Sequence, residues 1–277
     1  KSGLEIAFHS DFFIGGRKIM EEGRSILLGG KNPFTCKEFA VQLSKAEKDA
    51  EVKIIGHRSH GLRWGTVLDI PAWMEKLGVQ YDSSLSVRMH GTEPQKIGYF
   101  QGGGLPFFFI HSQALRRMDA LEQPLTTSDD VLFGKRQQYT VSIVPTAVRA
   151  FITGMELTEE QAFQLAKGFV DASLDRYYTV QCYCWHPVYL ASRKLGMPYH
   201  YSDTFFRKIM EYAKAKGVLL MGHDGWNNYW RGREETRYED LSWSLPTKTL
   251  RFIIQGERKV KSMTHMVPLQ HEGERAT

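Results

Sequence analysis

Lys53 to Trp64, KIIGHRSHGLRW, concentrates groups able to do chemistry: an apolar, β-branched run breaks into His57, Arg58, His60 and Arg63. Polar groups at the end of a buried strand have to be hydrogen-bonded, paired, metal-bound or wet, so this stretch reads as the rim of a site. Histidine serves acid–base and metal chemistry, and the arginine fork holds carboxylates. His57 and His60 suggest an H-x-x-H metal pair, but in an extended chain Arg58 and His60 share one face while His57 and Ser59 share the other. Gly56 and Gly61 bracket the segment and oppose the helical turn that would reunite the histidines. The expectation is therefore Arg58 with His60 facing a cleft, and His57 as the weaker candidate.

Cys182, Cys184 and His186 form a second cluster. On one strand the outer two of these lie roughly 13 Å apart, whereas zinc ligand atoms must come within about 4 Å of one another. The cysteines thus read as core, and His186, at a strand terminus before Pro187, as the residue placed to meet a ligand. Asp129-Asp130 is either a carboxylate pair for acid–base work or a loop start. Ser84 and Ser86 lack the G-x-S-x-G elbow of a serine hydrolase, and Gly102 to Gly104 precede Pro106 and an apolar run rather than a helix, against a phosphate loop.

The elements that must position these groups alternate. Leu4 to His9 reads as a short strand; Thr35 caps an amphipathic helix that leads into a strand at Val52 to Gly56. Asp69 to Leu77 is a helix with Pro71 in its first turn and Gly78 as its stop, followed by the short strand VQYDSS. Leu121 to Thr127 is a strand candidate, Thr158 and Gln161 make a capping box, and Tyr178 to Trp185 is strand-like. Phe205 to Lys216 is a helix, VLLMG a strand and WNNYWRGREE a last helix. This pattern implies mostly parallel β-structure covered by helices, with functional groups gathered where strands end. His9, Arg58, Asp82, Asp129 and His186 all stand at such ends. Beyond Glu235 the pattern changes to a few antiparallel strands, so the expected division is residues 1–235 and a small β-rich extension, 236–277.

The composition fits one large domain, such as an α/β barrel, or a main domain with a small appendage: 277 residues, 42% hydrophobic and 24% charged. No apolar run is long enough to span a bilayer. The net charge of +5 is spread along the chain, against nucleic acid as a partner. Three cysteines make no disulfide framework and leave the compartment, cytoplasmic or exported, open.

Taken in order, the strand ends resemble the polysaccharide deacetylase family, the NodB-homology or carbohydrate esterase group, in a divergent bacterial branch. EIAFHSDFF resembles its histidine motif, with His9-Ser10 present and Phe13 in place of the second histidine; GHRSHG resembles its arginine motif, with His60 in place of a proline. GVQYDSS resembles the Gly-Tyr-x-x-Asp stretch, placing Asp82; YFQGGGLPF and LEQPLTTSDD resemble the following loop and strand, and CYCWHP the last motif, with His186. The likeness covers roughly Leu4 to Glu235. The family's first motif, a pair of aspartates, has no counterpart before Leu4 and is expected upstream.

The resemblance implies an α/β fold, an irregular (β/α) barrel of the NodB type with the small C-terminal β appendage. It implies metal-dependent hydrolysis of the N-acetyl amide of a sugar or polysaccharide, or of another small N-acylated substrate. A divalent metal, zinc by expectation, would be held by His9, Asp11 and His60. Arg58 would orient the base carboxylate, His186 would protonate the leaving amine, and Asp82 would complete the catalytic set. The competing expectations are a degenerate barrel serving as a glycan-binding or assembly domain, and an amidohydrolase acting on non-sugar amides.

Overall fold

A computed structural model describes residues 5–10, 18–21, 24–27, 35–59, 68–86, 104–134, 137–144, 147–187, 203–260, 263, 265, 270–271 and 274–275. The chain divides into two compact units, Lys1–Leu220 and Met221–Thr277.

The first unit is built on a five-stranded sheet with the order β1 (Phe8–Ser10), β4 (Gly56–Ser59), β5 (Tyr81–Asp82), β7 (Arg116–Glu122) and β6 (Phe107–His111). Neighbours among the first four are parallel, and β6 closes the edge as the antiparallel partner of β7. The line of β7 resumes, after the interruption at Gln123-Pro124, as β8 (Thr127–Ser128), which pairs in parallel with β11 (Tyr183–Cys184). Proline has no N–H for a ladder, and the strand expected at Leu121 to Thr127 is split between β7 and β8. The α/β class expected from the sequence holds; the described residues do not close a barrel.

Two helices cover one face of the sheet, α1 (Cys36–Ala50) against β1 and α2 (Asp69–Leu77) against β7. In α1, Thr35 and Glu38 form a capping box and Phe39 and Leu43, four residues apart, are buried. In α2, Ile70, Pro71 and Met74 face inward, and Gly78 ends the helix at φ 76°, a conformation that glycine adopts without strain. These side chains join Phe8, Ile54 and Val79 in one hydrophobic core. A second core lies between α3 (Asp129–Phe133), α4 (Glu159–Ala172) and α5 (Asp203–Ala215). There Ala162, Ala166 and Val170 of α4 and Phe205 and Ile209 of α5 repeat at the four-residue spacing of a buried helical stripe. Thr158 and Gln161 cap α4 as expected.

Several local expectations change; the strand expected at Tyr178 to Trp185 is one only at Tyr183–Cys184, and that at Leu4 to His9 lies at Phe8–Ser10. The strand expected at Val52–Gly56 lies further on, at Gly56–Ser59. Ile54 is buried, but its N–H goes to the Glu47 carboxylate at 3.1 Å rather than to a neighbouring strand, so the ladder begins only at Gly56. Val218–Gly222 is not a strand; with Leu219 exposed, it leads into α6 (His223–Glu235). The antiparallel hairpin β2 (Lys18–Glu21)–β3 (Arg24–Leu27) stands where a loop or helix was expected, and β9 (Gln137–Val144)–β10 (Ala147–Thr153) where no element was expected. The period-two pattern of QQYTVSIV was the available signal for the second.

In the second unit α6 precedes the antiparallel pair β12 (Arg237–Ser244) and β13 (Thr249–Gln255), followed by the short pair β14 (Gln270–His271) and β15 (Glu274–Arg275). Its boundary, 220/221, places α6 with the hairpins.

Candidate active site

The parallel strands end in two rows of polar side chains on opposite faces. In register, Phe8 lies beside His57, His9 beside Arg58 and Ser10 beside Ser59, while His57 lies beside Asp82 and Asp82 beside Glu122. Register partners share a face and sequence neighbours do not. His9, Arg58 and Ser83 therefore alternate with Ser10, His57 and Asp82.

The row Ser10–His57–Asp82–Glu122 faces the helices and is buried, at 0–1% exposure. Ser10 Oγ and His57 Nε2 share a hydrogen bond of 2.7 Å, and His57 Nδ1 donates to Asp82 Oδ1 at 2.5 Å. Asp82 also accepts the Ser84 N–H at 2.7 Å and its hydroxyl at 2.9 Å, and the Ser59 N–H donates to the Ser84 hydroxyl at 2.8 Å. Aromatic rings seal the row: the Phe8 and Phe39 centroids lie 5.5 and 5.0 Å from the His57 ring. Burial pushes the Asp82 carboxyl up, but the neighbouring His57 charge and its hydrogen bond outweigh that, holding it below its ordinary value. Glu122 goes the other way: burial, then the Asp82 charge beside it, push its carboxyl well above the usual range.

On the other face Arg58 is half-buried and clamped. Its Nε donates to the Ser83 carbonyl at 3.0 Å, Nη2 to the Ser83 hydroxyl at 3.1 Å and Nη1 to Cys184 Sγ at 3.1 Å. Ser83 Oγ in turn meets Cys182 Sγ at 3.7 Å. Burial raises the Cys182 thiol, opposed by the Arg58 charge and the Ser83 hydrogen bond. Between β4 and β11 lie β5 and the β7–β8 line, so a flat sheet would hold them about 14 Å apart. The Arg58–Cys184 contact therefore requires the strands to curl around a concave face, the form in which a cleft is built.

Two residues beyond Cys184, His186 comes to the buried carboxylate of Asp129, the first residue of α3. Ring Nδ1 lies 2.6 Å from Asp129 Oδ1, and the His186 backbone N–H donates to Oδ2 at 2.6 Å. The His186 side chain is 42% exposed and that of Asp129 0%. A carboxylate that holds both the ring and the backbone fixes the imidazole orientation and leaves Nε2 as the nitrogen that would exchange a proton with a ligand.

Of the expected residues, His9 lies beside Arg58 in the register, and Arg58 bonds Cys184, two residues before His186. Asp82 is turned away from them, beneath α1 and α2. Asp11 and His60 lie outside the described residues. Among the described residues no group of three or more His, Cys, Asp or Glu side chains could hold a metal ion, and His9 is the one expected ligand among them. The described residues therefore do not by themselves make a metal centre. Sequence reasoning underrated His57, and it left Asp129 between an acid–base carboxylate and a loop start without pairing it with His186. The strand parity that separated His57 from Arg58 also pairs His57 with Asp82, once β4 and β5 are set side by side.

No family model matches the chain, and no curated protein matches it. Among solved structures it is similar to a Mycobacterium smegmatis protein described provisionally as a polysaccharide deacetylase, with a TM-score of 0.48 and 16% identity, over 72% of this chain and 58% of that one. The chain thus spans a little over half the length of that protein.

Proposed function

We propose that the protein is a hydrolase that removes an acyl group from the nitrogen of a sugar or a similar small N-acylated substrate. The Asp129–His186 pair carries this reading. A half-exposed imidazole at a strand end, oriented by a buried carboxylate through two 2.6 Å contacts, suits protonation of a leaving amine. Arg58, clamped on the same concave face, supplies fixed positive charge for an oxyanion or a carboxylate base. The order of the strand-end motifs supports the sugar amide as substrate and a (β/α) barrel as scaffold.

The reading extends to a divalent metal, zinc by preference, with His9, Asp11 and His60 as its ligands. This part is supported by the motif resemblance. The test is acetate release by the full chain from N-acetylchitooligosaccharides, with ureides as a parallel panel and metal analysis of the same preparation. Turnover that falls by about 10² to 10⁴ in His186→Ala supports the acid role. Absence of turnover on every amide, with glycan binding retained, would favour the degenerate binding barrel. A native protein without a stoichiometric divalent ion would end the metal part of the reading.

A further inference from the structure

The buried row behind the site uses groups that are costly to bury. Hydrophobic side chains would fill the space beneath α1 and α2 as well, and a buried ion pair is weak grounds for stability but a known means of enforcing one arrangement. Ser10, His57 and Asp82 come from three consecutive parallel strands, and each adjoins in sequence a residue of the opposite face: His9, Arg58 and Ser83 respectively. A side chain locked on one face fixes the peptide on either side of it and thus the direction of its neighbour. The lock acts where the ladder runs out. Ser83 N–H to the His57 carbonyl, at 3.1 Å, and Gln123 N–H to the Asp82 carbonyl, at 2.8 Å, are the rungs beside it, and Ser59–Ser84–Asp82 ties the tips of β4 and β5 beyond.

We propose that Ser10, His57 and Asp82 are positioning residues that aim Arg58 and Ser83, with His9 beside them, into the concave site. Ser83 then clamps the guanidinium along one edge, leaving two N–H groups, one on each terminal nitrogen, outside the hydrogen bonds to Ser83 and Cys184. The same three residues have the bond pattern of a serine–histidine–aspartate centre. Ser10, however, is 0% exposed, so no acyl group reaches its oxygen. What the aimed residues do rests on the hydrolase reading; that they are aimed does not.

The experiment compares the full chain with Ser10→Ala, Ser10→Thr and Asp82→Asn. The first readout is hydrogen exchange at the Arg58 Nε–H, followed by NMR, against the backbone amide of Val170 in α4 as a control. In Ser10→Ala the Arg58 N–H exchanges about tenfold faster or more, Val170 is unchanged, and Ser10→Thr, which keeps a hydroxyl, returns the slow rate. A merely structural role would speed both sites together and sink the proposal. The second readout is turnover: kcat falls about 10- to 100-fold in Ser10→Ala with KM little changed. If the wild-type chain hydrolyses no N-acyl substrate, the hydrolase reading fails and the exchange result still decides the positioning role. Should Asp82→Asn not fold, Ser10→Ala, which removes a single hydroxyl, carries the comparison. Unchanged Arg58 exchange in Ser10→Ala, or phosphonylation of Ser10 by a fluorophosphonate, would overturn it.

Discussion

Asp129 holds His186 at two points, the ring nitrogen Nδ1 and the backbone N–H, each at 2.6 Å. This double contact joins the start of α3 to the end of β11 and orients the ring independently of any bound ligand. Replacing Asp129 by Asn removes the charge while retaining an acceptor. Turnover on an N-acyl substrate is expected to fall about 10- to 100-fold, mostly in kcat, since the loss is in the orientation of the ring rather than in substrate contact. Steady-state kinetics of Asp129→Asn beside His186→Ala checks this. A KM effect alone would argue against it.

Glu122 predicts an unusual pH dependence. Its folded-state value is raised, so the stability linked to its proton is fully present below the ordinary carboxylate range and is lost as pH rises through the raised value. Glu122→Gln keeps the shape and removes the titration. Urea melts at pH 5 and pH 8 are expected to show wild type losing stability relative to the variant on going to the higher pH.

Acid stability depends on carboxylates shifted the other way. Arg116 bonds to Glu75 at 2.6 and 2.8 Å and holds that carboxyl down at about 2; Lys167 and the Tyr212 hydroxyl do the same for Asp171, also at about 2. Their contribution is present above the ordinary carboxylate value and is lost as pH falls toward 2. Both lie near the surface, so each is modest and screened by salt. Arg116→Gln should unfold at a higher pH than wild type in an acid titration followed by circular dichroism.

Gly56 makes a steric prediction. A Cβ there would run into the ring of Tyr81, its register partner on β5. Gly56→Ala must push that buried ring aside, at an expected loss of about 1–3 kcal/mol. Thermal melts of Gly56→Ala, with Gly168→Ala as the control where a methyl meets nothing, measure it.

The helices were read from sequence because their signals are local. The Thr158–Gln161 capping box, Pro71 in the first turn of α2 and the glycine stop at Gly78 each act within one turn of chain, and each stands where expected. Strand limits were less legible. β4 begins only where β1 and β5 supply partners, and the strand expected at Val218–Gly222 lacks a partner among the described residues.

For the site, sequence alone determined that Arg58 and His57 face opposite ways, because strand parity follows from covalent geometry. It also put His186 at a strand end and His9 in reach of the same rim. Only the tertiary structure decided which groups meet. Asp129 lies 57 residues from His186, Cys184 126 residues from Arg58 and Asp82 25 residues from His57. The strand-end pattern carries no record of such pairings; they exist because parallel strands that follow one another around a curved sheet bring their ends together. Thus Asp129 emerged as the partner of His186, and the His57 that sequence had set aside became the centre of the buried row.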